Sequence, residues 1–373
     1  MNADAVAFRC VASVLRAWPA NPGLARRVLS RDLDWSKVLA AADRGLALPA
    51  VAAAVEDLGV ADAVPDDYRA LLAYVRGANR ARNERLRASM AQAVRALNRA
   101  GIEPLLLKGA NRLVDDLYPD LGWRLMGDLD LLVPPDSEQE AFRTLRAIGY
   151  EPVAERADDH QHLPDLVHAE TGVMVELHRD MMPARLRSLV STDEVCRAAS
   201  RTSIDGALVQ TPRLPDQLLH LIVHDQLSHD GLLAGRASLR ALLEARLLVA
   251  RLVPDQVAGV RQSLAKQGRD RATRVFFTLL AATVGEAPAG IDATALDRFL
   301  AARAIWHDRT PRAARLSIGT AEFLRRTARL RQPRHARRVA AGLVDPRFLR
   351  RRAAEVRATF ALLNPIGRLP PNR

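Results

Sequence analysis

Apolar residues recur at three- and four-residue spacing over the first hundred positions. Trp35, Val38, Leu39 and Ala42 form one helical stripe, and Leu86, Met90, Val94 and Leu97 another. Asp34 stands where a helix wants its N-cap, and Val64-Pro65-Asp66-Asp67 ends one helix and starts the next. That next helix is predicted from about Tyr68 towards Asn98, with Gly77 as its weak point. At Gly101 the pattern changes. Residues 105–107 suit a short buried strand, with Pro104 confined to its entry. There follow a short helix over 111–118, a turn at 119–122, and a second strand over 128–133 stopped by Pro134-Pro135. A helix over 137–148 ends at Gly149, and a hairpin pairs 166–168 with 173–178 about Thr171-Gly172. Past Thr211 the helical spacing returns, at Leu218, Leu219, Ile222 and Val223, then at Leu239, Leu242, Leu243 and Leu247. The expected class is α+β: a helical region over 1–100, a core of strands and short helices over 101–210, and a second helical region over 211–373.

Composition narrows this picture. Of 373 residues 49% are apolar and only 4% aromatic, which favours helices around a modest sheet. Cys10 and Cys196 stand far apart with no metal-ligand spacing, as expected of a reducing compartment without structural zinc. Acidic Asp4 and the interrupting Arg9 and Arg16 do not suit a signal peptide, and no run approaches the ~18 apolar residues of a membrane span. A cytoplasmic protein is the expectation. The net charge of +12 is concentrated in the last segment, where 311–373 holds sixteen arginines against three acids. Two readings fit this tail: the solvated faces of ordinary helices, or a contact for RNA, an acidic membrane surface or an acidic partner protein.

The candidate chemistry lies in 105–133, LLLKGANRLVDDLYPDLGWRLMGDLDLLV. Residues two apart on a strand share a face, so Asp128 and Asp130 project together while Leu129, Leu131 and Val133 turn into apolar packing. Two carboxylates ~5 Å apart at an effective dielectric of ~20 repel by ~3 kcal/mol. A divalent cation relieves that repulsion, and magnesium commonly combines one or two carboxylates with substrate phosphates. The plainer alternative has one aspartate capping a turn and the other solvated at an edge. Glu176 is the candidate third carboxylate. In 173–178 it shares a face with His178, opposite Val175 and Leu177, and an unpaired acid there would be costly if buried. His178 fits either a role beside Glu176 or substrate, or a satisfied structural histidine. Lys108 and Gly109 sit at a strand-to-helix junction, where backbone N–H groups favour an anion and the lysine can pair with phosphate. Arg124 is read as a phosphate clamp, with locking of its turn as the alternative. Tyr118 is read as a core residue near the site, with ligand contact as the alternative. His220 and His224 share a helix face, but without HExxH there is no zinc-hydrolase base. Nucleophile-elbow, P-loop and dinucleotide-binding motifs are absent from the sequence.

The block Leu105-Leu106-Leu107-Lys108-Gly109, Leu113, Tyr118 and the run from Arg124-Leu125-Met126-Gly127-Asp128 to Val133, with 173–178 downstream, resembles a bacterial nucleotidyltransferase family of the DNA polymerase β-like superfamily. The likeness spans roughly 30–250. It implies a mixed sheet with the aspartate pair on one strand and Glu176 on a neighbour, binding Mg2+ (or Mn2+) and a nucleoside triphosphate such as ATP. The implied reaction moves a nucleoside monophosphate to an acceptor, which the residues leave open among a small molecule, a peptide, a protein side chain and an RNA 3′ end. Gly109-Ala110 stands where better-known superfamily members have Gly-Ser, and the gap to the aspartates is longer. Two other classes compete: a catalytically inactive nucleotide-binding regulator on the same fold, and an RNA-binding helical protein whose DxD is incidental.

Overall fold

Seven strands form one mixed sheet in the order β3-β4-β5-β2-β1-β7-β6. They are β1 (Leu105–Leu106), β2 (Leu129–Leu132), β3 (Tyr150–Pro152), β4 (Leu166–His168), β5 (Met174–His178), β6 (Ser200–Ile204) and β7 (Ala207–Thr211). The computed structural model describes residues 2–153, 161–236, 238–311 and 313–314. The arginine-rich segment beyond Ala314, and with it the two readings of the tail, lies outside the described residues. Among the described residues no single helix is long and apolar enough to cross a membrane.

The centre of the sheet is mixed in direction. β2 runs antiparallel to β1 and parallel to β5, and β1 runs parallel to β7. All four residues of β2 are buried, which suits its near-continuous apolar sequence and leaves Asp130 as the exception to explain. The predicted hairpin is β4–β5. β3 adds an edge strand beside it, and β6–β7 is a second hairpin that the periodicity did not predict. Its turn is Asp205-Gly206, with φ of 48° and 81°. Two positive-φ residues at the tip match the twist of the flanking strands, and Asp-Gly is a favoured pair for that turn.

Asp34 caps its helix as expected, its side chain accepting from the Lys37 N–H. The long helix Asp66–Arg99 passes straight through Gly77. A glycine there costs about 1 kcal/mol against alanine. Burial of Leu86, Met90, Val94 and Leu97 against Leu106, Leu129 and Leu131 outweighs that penalty. After β1 the chain enters a 3-10 helix over Lys108–Leu113, earlier and tighter than the helix expected at 111–118. A second hydrophobic cluster joins the N-terminal helices to those beyond Leu214, with Val11 and Leu15 packed in the same cluster as Phe276 and Phe277. The described helices before and after the sheet therefore meet beside it, and a cavity opens where they face the end of β1.

Candidate active site

Asp130 is the hub. It sits mid-strand in β2, 1% exposed, opposite Glu176 of β5 in the parallel register. Its Oδ1 accepts from Lys108 Nζ at 2.5 Å and lies 2.8 Å from His178 Nε2. The same His178 Nε2 lies 3.3 Å from Glu176 Oε2. Asp130, Glu176 and His178 each bring one ligand atom into a group whose members all lie within 4.8 Å of one another. His178 is fully buried, and its Nδ1 has no hydrogen-bond partner among the described residues.

Each charge is shifted by its neighbours. Burial alone would raise the Asp130 pKa, but Lys108 and the hydrogen bond from His178 hold it well below the ordinary value. Glu176 follows the same pattern: burial raises it, the His178 hydrogen bond lowers it, and the net shift is down. Burial opposes the charged forms of Lys108 and His178, yet the carboxylates prevail and raise both. Asp128 goes the other way. It lies one residue before β2, half-buried, and burial with the charges of Asp130 and Glu176 raises it. It takes part in the acidic patch but not in the tight Asp130–Glu176–His178 group.

The chemistry of this donor set fits a hard divalent cation. Two acids in register and a third beside them, all drawn from or next to adjacent strands, supply the oxygens such a cation prefers. Lys108 places its ammonium on Asp130, where a cation would also be drawn. Lys108 itself adopts φ of 46°, an uncommon conformation for a side chain bearing a Cβ, at the point where β1 turns into the 3-10 helix. A second imidazole, His162, lies beside this group: its Nε2 is 3.7 Å from Glu176 and its ring centroid 5.1 Å from that of His178.

Arg124, read in the sequence as a phosphate clamp or a lock on its turn, is paired with a buried acid. Its Nε donates to Glu244 at 2.7 Å, and both groups are buried. Arg112 reaches the same carboxylate at 3.5 Å and also pairs with Asp115 at 2.9 Å. Burial would raise the Glu244 pKa, but Arg124 and Arg112 bring it below the ordinary range. Gly109 leaves room for this guanidinium: a Cβ there would lie 2.5 Å from Arg124 Nη1 and 3.1 Å from Met126 Sδ. Tyr118 is buried in the helical cluster, its hydroxyl without a partner among the described residues.

The loop between Arg124 and Asp128 is tied down from both sides. Asn79 and Asn83, four apart on the long helix, donate to the Arg124 carbonyl at 3.1 and 2.8 Å. Arg240 Nη1 donates to the Leu125 carbonyl at 3.1 Å. None of Asn79, Asn83, Arg240 or Glu244 stood out as a site residue in the sequence. The available signals were the i, i+4 asparagines on one helix face and an acid inside the apolar run 242–245.

Beside the acids lies a cavity of about 570 Å³, lined among others by Lys108, Arg112, Arg124, Arg240, Glu244 and His220. His220, His224 and His229 form one ring cluster on its wall, with centroid separations of 5.9 and 4.1 Å. Burial and the nearby Lys108 push His220 down to about 3, so it is neutral at physiological pH. His224 is followed by a π-helical turn, His224–Ser228, a distortion often found at functional sites.

A protein family described as uncharacterised nucleotidyltransferase matches residues 31–285. Among solved structures, an antigenic nucleotidyltransferase-like protein from Paracoccidioides brasiliensis is similar at 16% identity, over 54% of this chain and 94% of that one, with a TM-score of 0.35. A comparison with curated proteins found no match.

Proposed function

The chain belongs to this family of uncharacterised nucleotidyltransferases, and we propose that it transfers a nucleoside monophosphate from an NTP to an acceptor hydroxyl or similar group. The observation that carries the reading is the register of Asp130 opposite Glu176, with Asp128 beside them and a cationic cavity next door. Asp128, Asp130 and Glu176 would hold Mg2+ or Mn2+. When bound, such ions polarise the attacking hydroxyl and the leaving phosphates.

The chain's own residues do the rest. The acceptor hydroxyl gives up its proton to solvent as its oxygen bonds to the α-phosphorus, the bond from that phosphorus to the α–β bridging oxygen breaks, and pyrophosphate leaves with that oxygen. Lys108 and Arg124, both lining the cavity, draw the phosphates and stabilise the charge that develops on the leaving group. Gly109 keeps the turn open for Arg124. His178 fixes the orientation of Asp130 and Glu176 through one nitrogen. Tyr118 supports the wall from within the helical cluster. The acceptor enters from the helical side of the cavity, where the histidine cluster offers neutral hydrogen-bonding groups. Small molecules, peptides, protein side chains and RNA ends remain candidate acceptors, and the basic tail would favour RNA or an acidic partner. Two free cysteines suit a cytoplasmic location.

The test is turnover of each of the four NTPs with Mg2+ or Mn2+ and a cell extract as acceptor source, wild type beside Asp128→Asn. Labelled nucleotide on an extract component with wild type alone supports the reading. Absence of nucleotide binding and of pyrophosphate release under every condition would overturn it.

A further inference from the structure

Five arginines line the cavity that also receives Lys108, among them Arg112, Arg124 and Arg240. One buried carboxylate, Glu244, lies among the arginines, and it is engaged by Arg124 and Arg112. Arg112 has a second acid in Asp115. Arg240 makes no close ion pair among the described residues: its hydrogen bond is to the neutral carbonyl of Leu125, and Glu244 and Asp128 favour its charge only from a distance. Burial and the proximity of Arg124 disfavour its charge. Two other acids line the wall, and burial raises Asp225 to about 6 and Asp308 to about 7, so Asp308 is only partly ionised near neutral pH. A half-buried guanidinium that lines a cavity without a carboxylate in contact keeps N–H donors that an entering anion can take.

We infer that Arg240, carried by the helix Leu239–Val249 far along the chain from the strands, binds the β- and γ-phosphates of the incoming NTP from the side of the cavity opposite the sheet. The inference rests on the nucleotidyltransferase reading and deepens it. The helical region then serves as half of the nucleotide site, facing Lys108 across the cavity, as well as a wall for the acceptor. Arg240 also grips the Leu125 carbonyl in the loop that ends at Asp128. Polyphosphate binding would thereby be linked to the placement of that loop. An arginine suits both tasks, because its planar fork can hold a backbone carbonyl with one nitrogen and a phosphate with the others.

The experiment is calorimetric titration of the full chain with ATP, ADP and AMP in Mg2+, repeated with the other three NTPs. It compares wild type with Arg240→Gln and Arg240→Lys, with inorganic tripolyphosphate as competitor and thermal melts to check folding. Expected is a wild-type preference for tri- over monophosphate of at least about tenfold, the scale of one charge-assisted hydrogen bond. Arg240→Gln should lose that preference while binding AMP within about twofold of wild type, and Arg240→Lys should keep part of it. Tripolyphosphate should compete with ATP for wild type and fail to do so for Arg240→Gln. Equal loss of ATP and AMP binding would assign Arg240 to loop support alone and overturn the inference, as would unchanged ATP binding. Wild type that binds none of the nucleotides would instead overturn the transferase reading on which the inference rests.

Discussion

Asp130 and Glu176 face each other across adjacent parallel strands, register partners at the centre of the sheet. Neighbouring strands lie about 4.8 Å apart, so two buried carboxylates in this relationship repel unless positive charge is brought to them. Lys108 from the end of β1 and His178 from the end of β5 bring it. Asp128 makes no ion pair among the described residues, and burial with the charges of Asp130 and Glu176 outweighs the pull of Lys108 and Arg124 and raises its pKa. The three acids therefore differ in what they contribute to the folded chain, and the difference can be measured.

Asp128→Asn should lower transferase activity by at least ~10²-fold, the cost of losing one strong electrostatic contact at a reaction centre. In metal-free buffer the same variant should be as stable as wild type or more so, because a repelled carboxylate has been neutralised. Asp130→Asn should also abolish activity, but it removes a fully buried carboxylate that the half-buried Lys108 and the buried His178 both hold. It should cost about 3–5 kcal/mol of stability. Urea unfolding in EDTA separates the two. Equal destabilisation by both variants would contradict the different placements of the acids.

Gly109→Ala introduces a Cβ 2.5 Å from Arg124 Nη1. The guanidinium cannot retreat freely, since Glu244 holds it in the interior. The variant should lose about 1–3 kcal/mol of stability, as overpacked sites do, and bind NTP more weakly as Arg124 is displaced. Thermal melts with and without nucleotide measure both effects. An unperturbed melt with normal NTP affinity would show that Arg124 moves aside at no cost.

The run DLDLLV was readable as a strand because its apolar residues are continuous and Pro134-Pro135 stops it. The alternation in 173–178 likewise placed Glu176 and His178 on one face, and the structure sets Glu176 beside Asp130. Periodicity could not show which strands are neighbours, so the shared hold of His178 on Asp130 and Glu176 was out of reach. Glu244 lies 120 residues from Arg124, and no local pattern announces a pair at that separation. The phosphate-clamp reading of Arg124 therefore carries no sign that its Nε is held by Glu244. The β6–β7 hairpin is a different kind of omission. Asp205-Gly206 is a strong turn signal, but β6 is mostly exposed and too polar to show strand alternation.

A second ion-pair centre, far along the chain from the acids of the sheet, predicts a pH dependence of stability. Asp297 is buried and accepts from Arg274 Nε at 2.5 Å, from Arg271 Nε at 3.2 Å, and from the backbone and hydroxyl of Thr294. Burial alone would raise its pKa, but these partners lower it from 3.8 to about 2. A depressed carboxyl contributes stability that is present in full above its unfolded pKa and is lost as pH falls through the folded one. The loss should therefore fall between about pH 4 and pH 2. It amounts to about 2 kcal/mol. Asp297→Asn should show that deficit at neutral pH and a shallower decline in the acid window, read by urea unfolding at each pH. A variant with the wild-type acid slope would place the titration elsewhere.

A stability effect as large as that of Asp130→Asn should come from Glu244→Gln. The substitution keeps size and shape but removes the one carboxylate lying among Arg112, Arg124 and Arg240, leaving buried positive charge unopposed. The expected cost is about 3–5 kcal/mol. An anion that enters the cavity supplies part of what the carboxylate supplied, and any ligand that binds only the folded chain raises its apparent stability by mass action. Pyrophosphate should consequently raise the melting temperature of Glu244→Gln by more than it raises that of wild type, and chloride at matched ionic strength should not reproduce the difference. Equal shifts in the two proteins would mean that the anion does not reach the arginines, and that Glu244 is a purely structural counter-ion. A larger shift in the variant would show that carboxylate and phosphate compete for the same guanidinium groups. Arg124 would then be held by Glu244 in the resting chain and shared with the substrate once it arrives.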